Sequence, residues 1–145
     1  MSKKPAALIT ITAIFCCTAA FSGCSSANGA GVPNPDEIVP SKEELTDNLS
    51  DKGYTVEVFD KIYDTNVSGE RVYAEKDGKF IDICYGLDNE SASSVFSIFE
   101  EKYAKTDYYI IAQNGNYVYA VSDKKTFKIS GFESTDNVGQ QDIRE

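Results

Sequence analysis

Apolar and polar residues alternate in several short segments of this chain, a period of two that is typical of β-strands with one buried face. The segment 54–59, Tyr-Thr-Val-Glu-Val-Phe, shows it clearly. Further alternating segments flank two turn signals, Asp77-Gly78 and Asn114-Gly115. Asp-Gly and Asn-Gly pairs close two-residue hairpins. The pattern therefore predicts one strand over 54–59 and antiparallel hairpins over 71–85 and 107–121.

Two segments carry helical signals. Ser41 and Glu44 form a capping box, Leu45 and Leu49 share one helical face, and Gly53 supplies a stop, which predicts a helix over 42–52. Asp88 or Asn89 would cap a second helix. After them, apolar residues recur at helical spacing, which predicts a longer amphipathic helix. These residues are Ala92, Val95, Phe96, Phe99 and Tyr103.

The segment 122–132 has two interpretations. Ser122-Asp123 would cap a short helix, whereas Phe127 and Ile129 alternate as in a strand. The helix is the preferred interpretation.

These elements predict an α+β fold, a two-layer sandwich in which two main helices lie on one face of an antiparallel sheet. The order of a helix followed by antiparallel strands occurs twice and suggests a weak internal repeat, although the two halves align poorly. The predicted core consists of Leu45, Leu49, Val56, Val58, Ile81, Ile83, Val95, Phe96, Phe99, Ile111 and Val118.

The N-terminus has the pattern of a secretion signal. Lys3 and Lys4 precede an apolar run that extends from Ala6 to about Phe21. A membrane-spanning helix needs about 20 apolar residues, and this run is shorter. Residues 1–23 are therefore predicted to be a signal peptide.

The residues Phe21-Ser22-Gly23-Cys24 resemble the lipobox of bacterial lipoproteins, although Phe21 stands where leucine is usual. The resemblance implies cleavage before Cys24 and lipidation of its thiol. Two acyl chains anchor a protein more stably than one chain does. We therefore expect an extracytoplasmic protein that contacts the membrane through the lipid on Cys24. The kind of bacterial envelope stays open.

The remaining chain divides into three parts. Residues 24–40 are rich in Ser, Ala, Asn, Gly and Pro and are predicted to be a flexible tether. The folded domain is predicted over 41–132, and residues 133–145 are predicted to be a frayed polar tail.

Composition excludes several functions. The signal holds two of the 14 basic residues and none of the 23 acidic ones, which leaves a formal charge of −11. This charge argues against nucleic acid and against electrostatic docking on anionic lipid. The chain has no histidine, so the usual Ser-His-Asp, Cys-His and zinc sites are excluded. Cys84, the one cysteine that follows Cys24, is predicted to be buried and structural.

No catalytic residue, metal site or cofactor is predicted, and we expect that the protein is not an enzyme. The candidate ligand-binding residues are aromatic and acidic side chains expected on the open face of the sheet, together with two tyrosines expected to join them. They are Glu57, Tyr73, Glu75 and Asp82, and Tyr117 and Tyr119. The alternative is that these tyrosines only suit half-buried strands.

The domain is similar to small Gram-positive cell-envelope lipoproteins of uncharacterised function. The likeness lies in the Glu-Glu-Leu helix that ends in Lys52-Gly53-Tyr54, in residues 80–85, in the helix up to Tyr103 and in Asn116-Tyr117-Val118-Tyr119. It implies a fold and a location but no site. The expected function is a binding or interaction module for an envelope protein, a peptide or a glycan. An accessory or inhibitor subunit is the alternative, and a small hydrolase with paired carboxylates is a third.

Overall fold

The computed structural model describes residues 34–136 and 139–144, which lie in one compact unit. Its six strands are β1 (Thr55–Phe59), β2 (Glu70–Lys76), β3 (Lys79–Tyr85), β4 (Ile110–Asn114), β5 (Tyr117–Val121) and β6 (Gln141–Ile143). They form one antiparallel sheet in the order β1-β2-β3-β5-β4-β6. Both predicted hairpins are present, β2–β3 and β4–β5.

The helices are α1 (Pro35–Ile38), α2 (Lys42–Asp51), α3 (Asn89–Tyr103) and α4 (Lys124–Ile129). The predicted caps form: Ser41 Oγ accepts from the Glu44 amide at 3.2 Å, and Asp88 Oδ1 accepts from the Ser91 amide at 2.7 Å. Asp123 caps α4 by accepting from the backbone of Lys125 and Thr126. The helical interpretation of the segment 122–132 is therefore confirmed.

The α+β class and the antiparallel sheet are confirmed, but the expected placement of both main helices on one face is wrong. Leu45 and Leu49 of α2 pack with Ile81 and Ile83 on one face, where α4 also lies. The helix α3 packs on the opposite face, where Cys84 faces it. The cause lies in the β3 sequence from Phe80 to Tyr85, which is apolar on both faces except for Asp82, so both faces need cover.

The predicted core is confirmed at nine of its eleven positions, and β1 accounts for the other two. Val56 is half-buried, and Val58 is 49% exposed. The helix α2 contacts β1, and Val56 packs against the core on that side. Because β1 leaves this cover before Val58, the prediction that Val58 lies in the core is wrong.

Both ends of the folded unit extend beyond the predicted limits. Residues 34–40 were predicted to be tether, yet Ile38 and Val39 are buried and the Tyr85 hydroxyl donates to the Pro40 carbonyl at 3.1 Å. Residues 139–144 were predicted to be a frayed tail, yet β6 pairs with β4. The folded unit therefore begins by Asn34 and includes a C-terminal strand.

The predicted signal peptide, Cys24 and residues 25–33 lie outside the described residues. Within the described part of the chain, no helix is long and apolar enough to cross a membrane.

Candidate binding surface

The six predicted binding residues do not share one face. Glu57 pairs with Tyr73, and Tyr73 pairs with Asp82 across β2 and β3, so these three side chains lie on the face that α3 occupies. Glu75, two residues after Tyr73, lies on the same face. Tyr119 pairs with Ile83 and lies on the opposite face, as does Tyr117. The expectation that the two β5 tyrosines join the acidic residues is therefore wrong.

The two β5 tyrosines stabilise the fold. Tyr119 is fully buried, with its ring 4.6 Å from that of Phe132. The Tyr117 hydroxyl donates to Asp36 Oδ1 at 2.5 Å, which holds α1 against β5. This hydrogen bond, together with burial, raises the pKa of Tyr117 to about 12.

Asp82 lies at the centre of a charged cluster in the middle of β3 and is fully buried. Arg71 binds it through two nitrogens, with Nε 2.7 Å from Oδ1 and Nη2 2.9 Å from Oδ2. The Tyr63 and Tyr103 hydroxyls donate to Oδ2 at 2.7 and 2.6 Å, and Lys102 Nζ donates to it at 3.2 Å. We call these five residues the Asp82 cluster.

The electrostatics of the Asp82 cluster keep its two tyrosines and Arg71 protonated. Burial raises the pKa values of Tyr63 and Tyr103, and the negative charge of Asp82 raises them further. Desolvation alone would lower the pKa of Arg71, but the hydrogen bonds and charge of Asp82 outweigh it and raise that pKa. Since Asp82 accepts five hydrogen bonds, its oxygens are occupied, and the carboxylate is not placed to act as a general base.

Arg71 links the buried cluster to the surface. Its guanidinium carbon lies 4.3 Å from the centre of the Tyr63 ring, 4.9 Å from that of Phe59 and 5.6 Å from that of Tyr73. Cations at such distances from ring faces are attracted to them. The cluster therefore fixes the aromatic residues around the end of β1 and in the loop that follows it.

The exposed part of the sheet is formed by β1 and β2, whereas α3 contacts β4 and β5. On its α3 side lie Glu57, Phe59, Tyr73 and Glu75, and Val58 lies on the other side. We call these five side chains the β1–β2 surface. Val58 is 49% exposed and Phe59 is 36% exposed.

Tyr73 is held within the β1–β2 surface by its acidic neighbour. Its hydroxyl donates to Glu75 Oε2 at 2.9 Å. Burial, followed by this hydrogen bond, raises the pKa of Tyr73 to about 12, so the phenol stays protonated at neutral pH. The ring therefore presents an apolar face beside two exposed carboxylates, Glu57 and Glu75.

Two open depressions border the β1–β2 surface. One, of about 490 Å³, is lined by Glu57, Tyr73 and Glu75, three of the predicted residues. The other, of about 540 Å³, lies at the end of β1, where Val58 and Phe59 line it together with the loop after β1. Both are shallow and suit a contact surface better than an enclosed small-molecule site.

The described residues offer little reactive chemistry. Among them, no group of three or more carboxylate or thiol side chains is placed to hold a metal ion. Cys84 is buried, as predicted, and burial raises the pKa of its thiol.

The prediction that Asp82 lies on an open binding face is wrong, because its side chain is fully buried and occupied by Arg71, Lys102 and two tyrosines. Sequence reasoning singled out Asp82 but missed these four partners. The available signal was the position of Asp82 between Ile81 and Ile83 in an almost continuously apolar strand. A carboxylate buried there requires a cation and several hydrogen-bond donors. A nearby arginine or lysine is therefore predictable, but nothing in the sequence selects Arg71 and Lys102 from the twelve basic residues of the chain after Cys24.

The chain matches no protein-family model, and comparisons with curated proteins and with solved structures find no match.

Proposed function

We propose that the chain is a lipid-anchored binding module of the bacterial cell envelope, with the β1–β2 surface as its contact surface. One observation carries this assignment. The central strands of the sheet are buried on both faces, whereas β1 leaves Val58 and Phe59 exposed beside Tyr73 and two carboxylates. Exposed apolar residues with a polar rim are typical of interaction sites.

The anchor is supported by the signal pattern and by the resemblance of residues 21–24 to a lipobox. The test is Cys24→Ala, which should move the protein from the membrane fraction to the soluble or secreted fraction. Retention of this variant in membranes would contradict the anchor.

The contact surface is tested by photocrosslinking on cells that express the full-length protein. A photoreactive phenylalanine at position 59 should capture a defined partner. The same group at position 100, an exposed position of α3, is the matched control. Equal capture from both positions, or capture from position 100 alone, would contradict the assignment of the surface.

The accessory or inhibitor function remains the second candidate, because β1 is an edge strand and could dock on another envelope protein. It uses the same surface and differs in what the contact does. A catalytic function gains no support from Asp82, since that carboxylate is buried and occupied by Arg71, Lys102 and two tyrosines.

A further inference from the structure

We propose that β1 is a docking edge for an extended peptide segment that carries a lysine or an arginine and joins the sheet as an added strand. The inference rests on the proposed function, because it assigns the partner chemistry and contact mode of the same surface. Within the described residues, β1 stands at one end of the sheet and pairs only with β2. An edge strand presents unpaired N–H and C=O groups that another chain can use.

The composition of β1 suits strand addition. Its sequence, Thr-Val-Glu-Val-Phe, contains no proline, glycine or lysine, the residues that commonly protect an edge. Val58 and Phe59 lie on opposite faces of the sheet at the end of this strand. An added strand would therefore cover exposed apolar surface on both faces while its backbone pairs with β1.

The charge on β1 itself favours a basic partner. Glu57 is the middle residue of the strand, is exposed and is the one charged residue of β1. The depressions beside it carry both signs, with Glu75 and Asp60 near Lys76 and Lys61, so Glu57 sets the preference on the strand. A residue directly opposite Glu57 on an added antiparallel strand would have its Cβ atom about 4.5–5.5 Å away. A lysine or arginine there would complement Glu57, and apolar residues on either side would meet Val56 and Val58.

A second copy of the chain fits this edge poorly. The register that pairs all five residues of β1 with a symmetric copy places Glu57 opposite Glu57, and like charges directly opposite each other are destabilising. The chain's own residues 25–33 also fit poorly, because they contain no basic residue and are mostly serine, alanine and glycine. A basic extended segment of another molecule is therefore the occupant that the charges favour.

The test uses the detergent-solubilised full-length protein and a labelled peptide, acetyl-Ser-Thr-Val-Lys-Val-Thr-Ser-amide, in fluorescence anisotropy. The peptide should bind, and replacement of its lysine by glutamate should weaken binding about fivefold or more. The same peptide N-methylated at the valines and the lysine should not bind, because its central amides can no longer donate to β1.

A charge swap locates the contact. Glu57→Lys should reverse the preference, so that the glutamate peptide binds better than the lysine peptide. Glu100→Lys, an equal charge change on an exposed position of α3, should leave the preference unchanged. A reversal by both variants, or by neither, would overturn the proposal, as would undiminished binding of the N-methylated peptide.

The second-copy alternative is tested by sedimentation velocity of the same preparation. A dimer that Val58→Lys disperses would assign the edge to self-association and would overturn the proposal. If the peptide does not bind but position 59 captures a partner on cells, strand addition is contradicted and the proposed function stands. If the peptide does not bind and position 59 captures no partner, both proposals are contradicted.

Discussion

The two edge strands of the sheet, β1 and β6, differ in length, in polarity and in the apolar side chains that they expose. β6 has three residues, two of them polar, and its Asp142 accepts a hydrogen bond from Tyr108 while Arg144 lies 3.8 Å from the centre of the Tyr108 ring. β1 has five residues, and the exposed Val58 and Phe59 end it. Among the described residues at the β6 edge, Ile143 is the one large apolar residue that is exposed.

This difference indicates which edge is available to a partner. Short, polar edge strands discourage pairing with other chains, whereas a longer strand rich in β-forming residues invites it. The single charge on β1, Glu57, opposes pairing between copies but not pairing with a basic strand. We therefore regard β6 as a closed edge and β1 as a selective one.

The largest expected loss of stability comes from a substitution in the Asp82 cluster, which supports the β1 side of the sheet. Asp82→Ala would leave Arg71 and Lys102 without their shared carboxylate, and removal of one partner of a buried ion pair costs about 3–5 kcal/mol. The free energy of unfolding from urea titration should fall by that amount. Asp142→Ala, which removes a partly buried hydrogen bond near β6, should cost about 1 kcal/mol. Equal losses from the two variants would contradict the account.

The second prediction concerns a truncation that removes the edge strand β6. A chain that ends at Gly139 loses β6, including the backbone bonds from Gln113 to Gln140 at 2.8 Å and from Arg144 to Tyr109 at 2.9 Å. At about 1 kcal/mol for each lost bond, the free energy of unfolding should fall by about 2–4 kcal/mol. The exposed β4 edge should also cause concentration-dependent association in light scattering.

Ile143→Lys is the control for this truncation. It keeps the backbone of β6 and changes one exposed side chain, so its effect on stability should stay within about 0.5 kcal/mol. The account would be contradicted if Ile143→Lys lowered the free energy of unfolding as much as the truncation does. It would also be contradicted if the truncated chain kept the stability and the association behaviour of the full chain.

The fold class, both hairpins and the short helix α4 were predictable from the sequence, because each depends on local patterns such as Asn114-Gly115 and the cap at Asp123. The placement of α3 was not predictable in this way. The period of two in Tyr117-Val118-Tyr119 fixes which residues alternate, but it does not say that both faces are covered. Tyr119 was therefore assigned to an open face, although it lies in the core.

The candidate site was predictable where exposure follows from position on an edge. Glu57, Tyr73 and Glu75 were predicted and lie on the β1–β2 surface. Phe59 and Val58 acquire their role because β1 is the outermost strand, and the sequence alone did not give the strand order. The same limit applies to Arg71, whose partner is eleven residues away across the β2–β3 hairpin.

The third prediction sharpens the contrast at one exposed apolar residue on each edge, Phe59 on β1 and Ile143 on β6. Phe59→Ala should lower the affinity for the lysine peptide while costing about 0.5–1 kcal/mol of stability, because the ring lies near the Arg71 guanidinium. Ile143→Ala should leave the affinity unchanged. Anisotropy titration and urea unfolding measure the two effects, and an equal loss of affinity in both variants would contradict the distinction between the edges.

The smallest expected change in stability comes from Val58→Lys, which places an edge-protecting residue on β1. Because Val58 is exposed, the free energy of unfolding should change by no more than about 0.5 kcal/mol. The affinity for the lysine peptide should nevertheless fall, since lysine on an edge strand discourages pairing. Unchanged affinity in a stable variant would argue against docking at β1.

Amide hydrogen exchange, followed by mass spectrometry, tests most directly whether β1 is the edge that a basic strand joins. Addition of the lysine peptide to the full-length protein should slow exchange in residues 55–59 and leave β6 unchanged, while the N-methylated peptide should slow neither. Protection that falls on β6 or on α3, with residues 55–59 unaffected, would contradict the account.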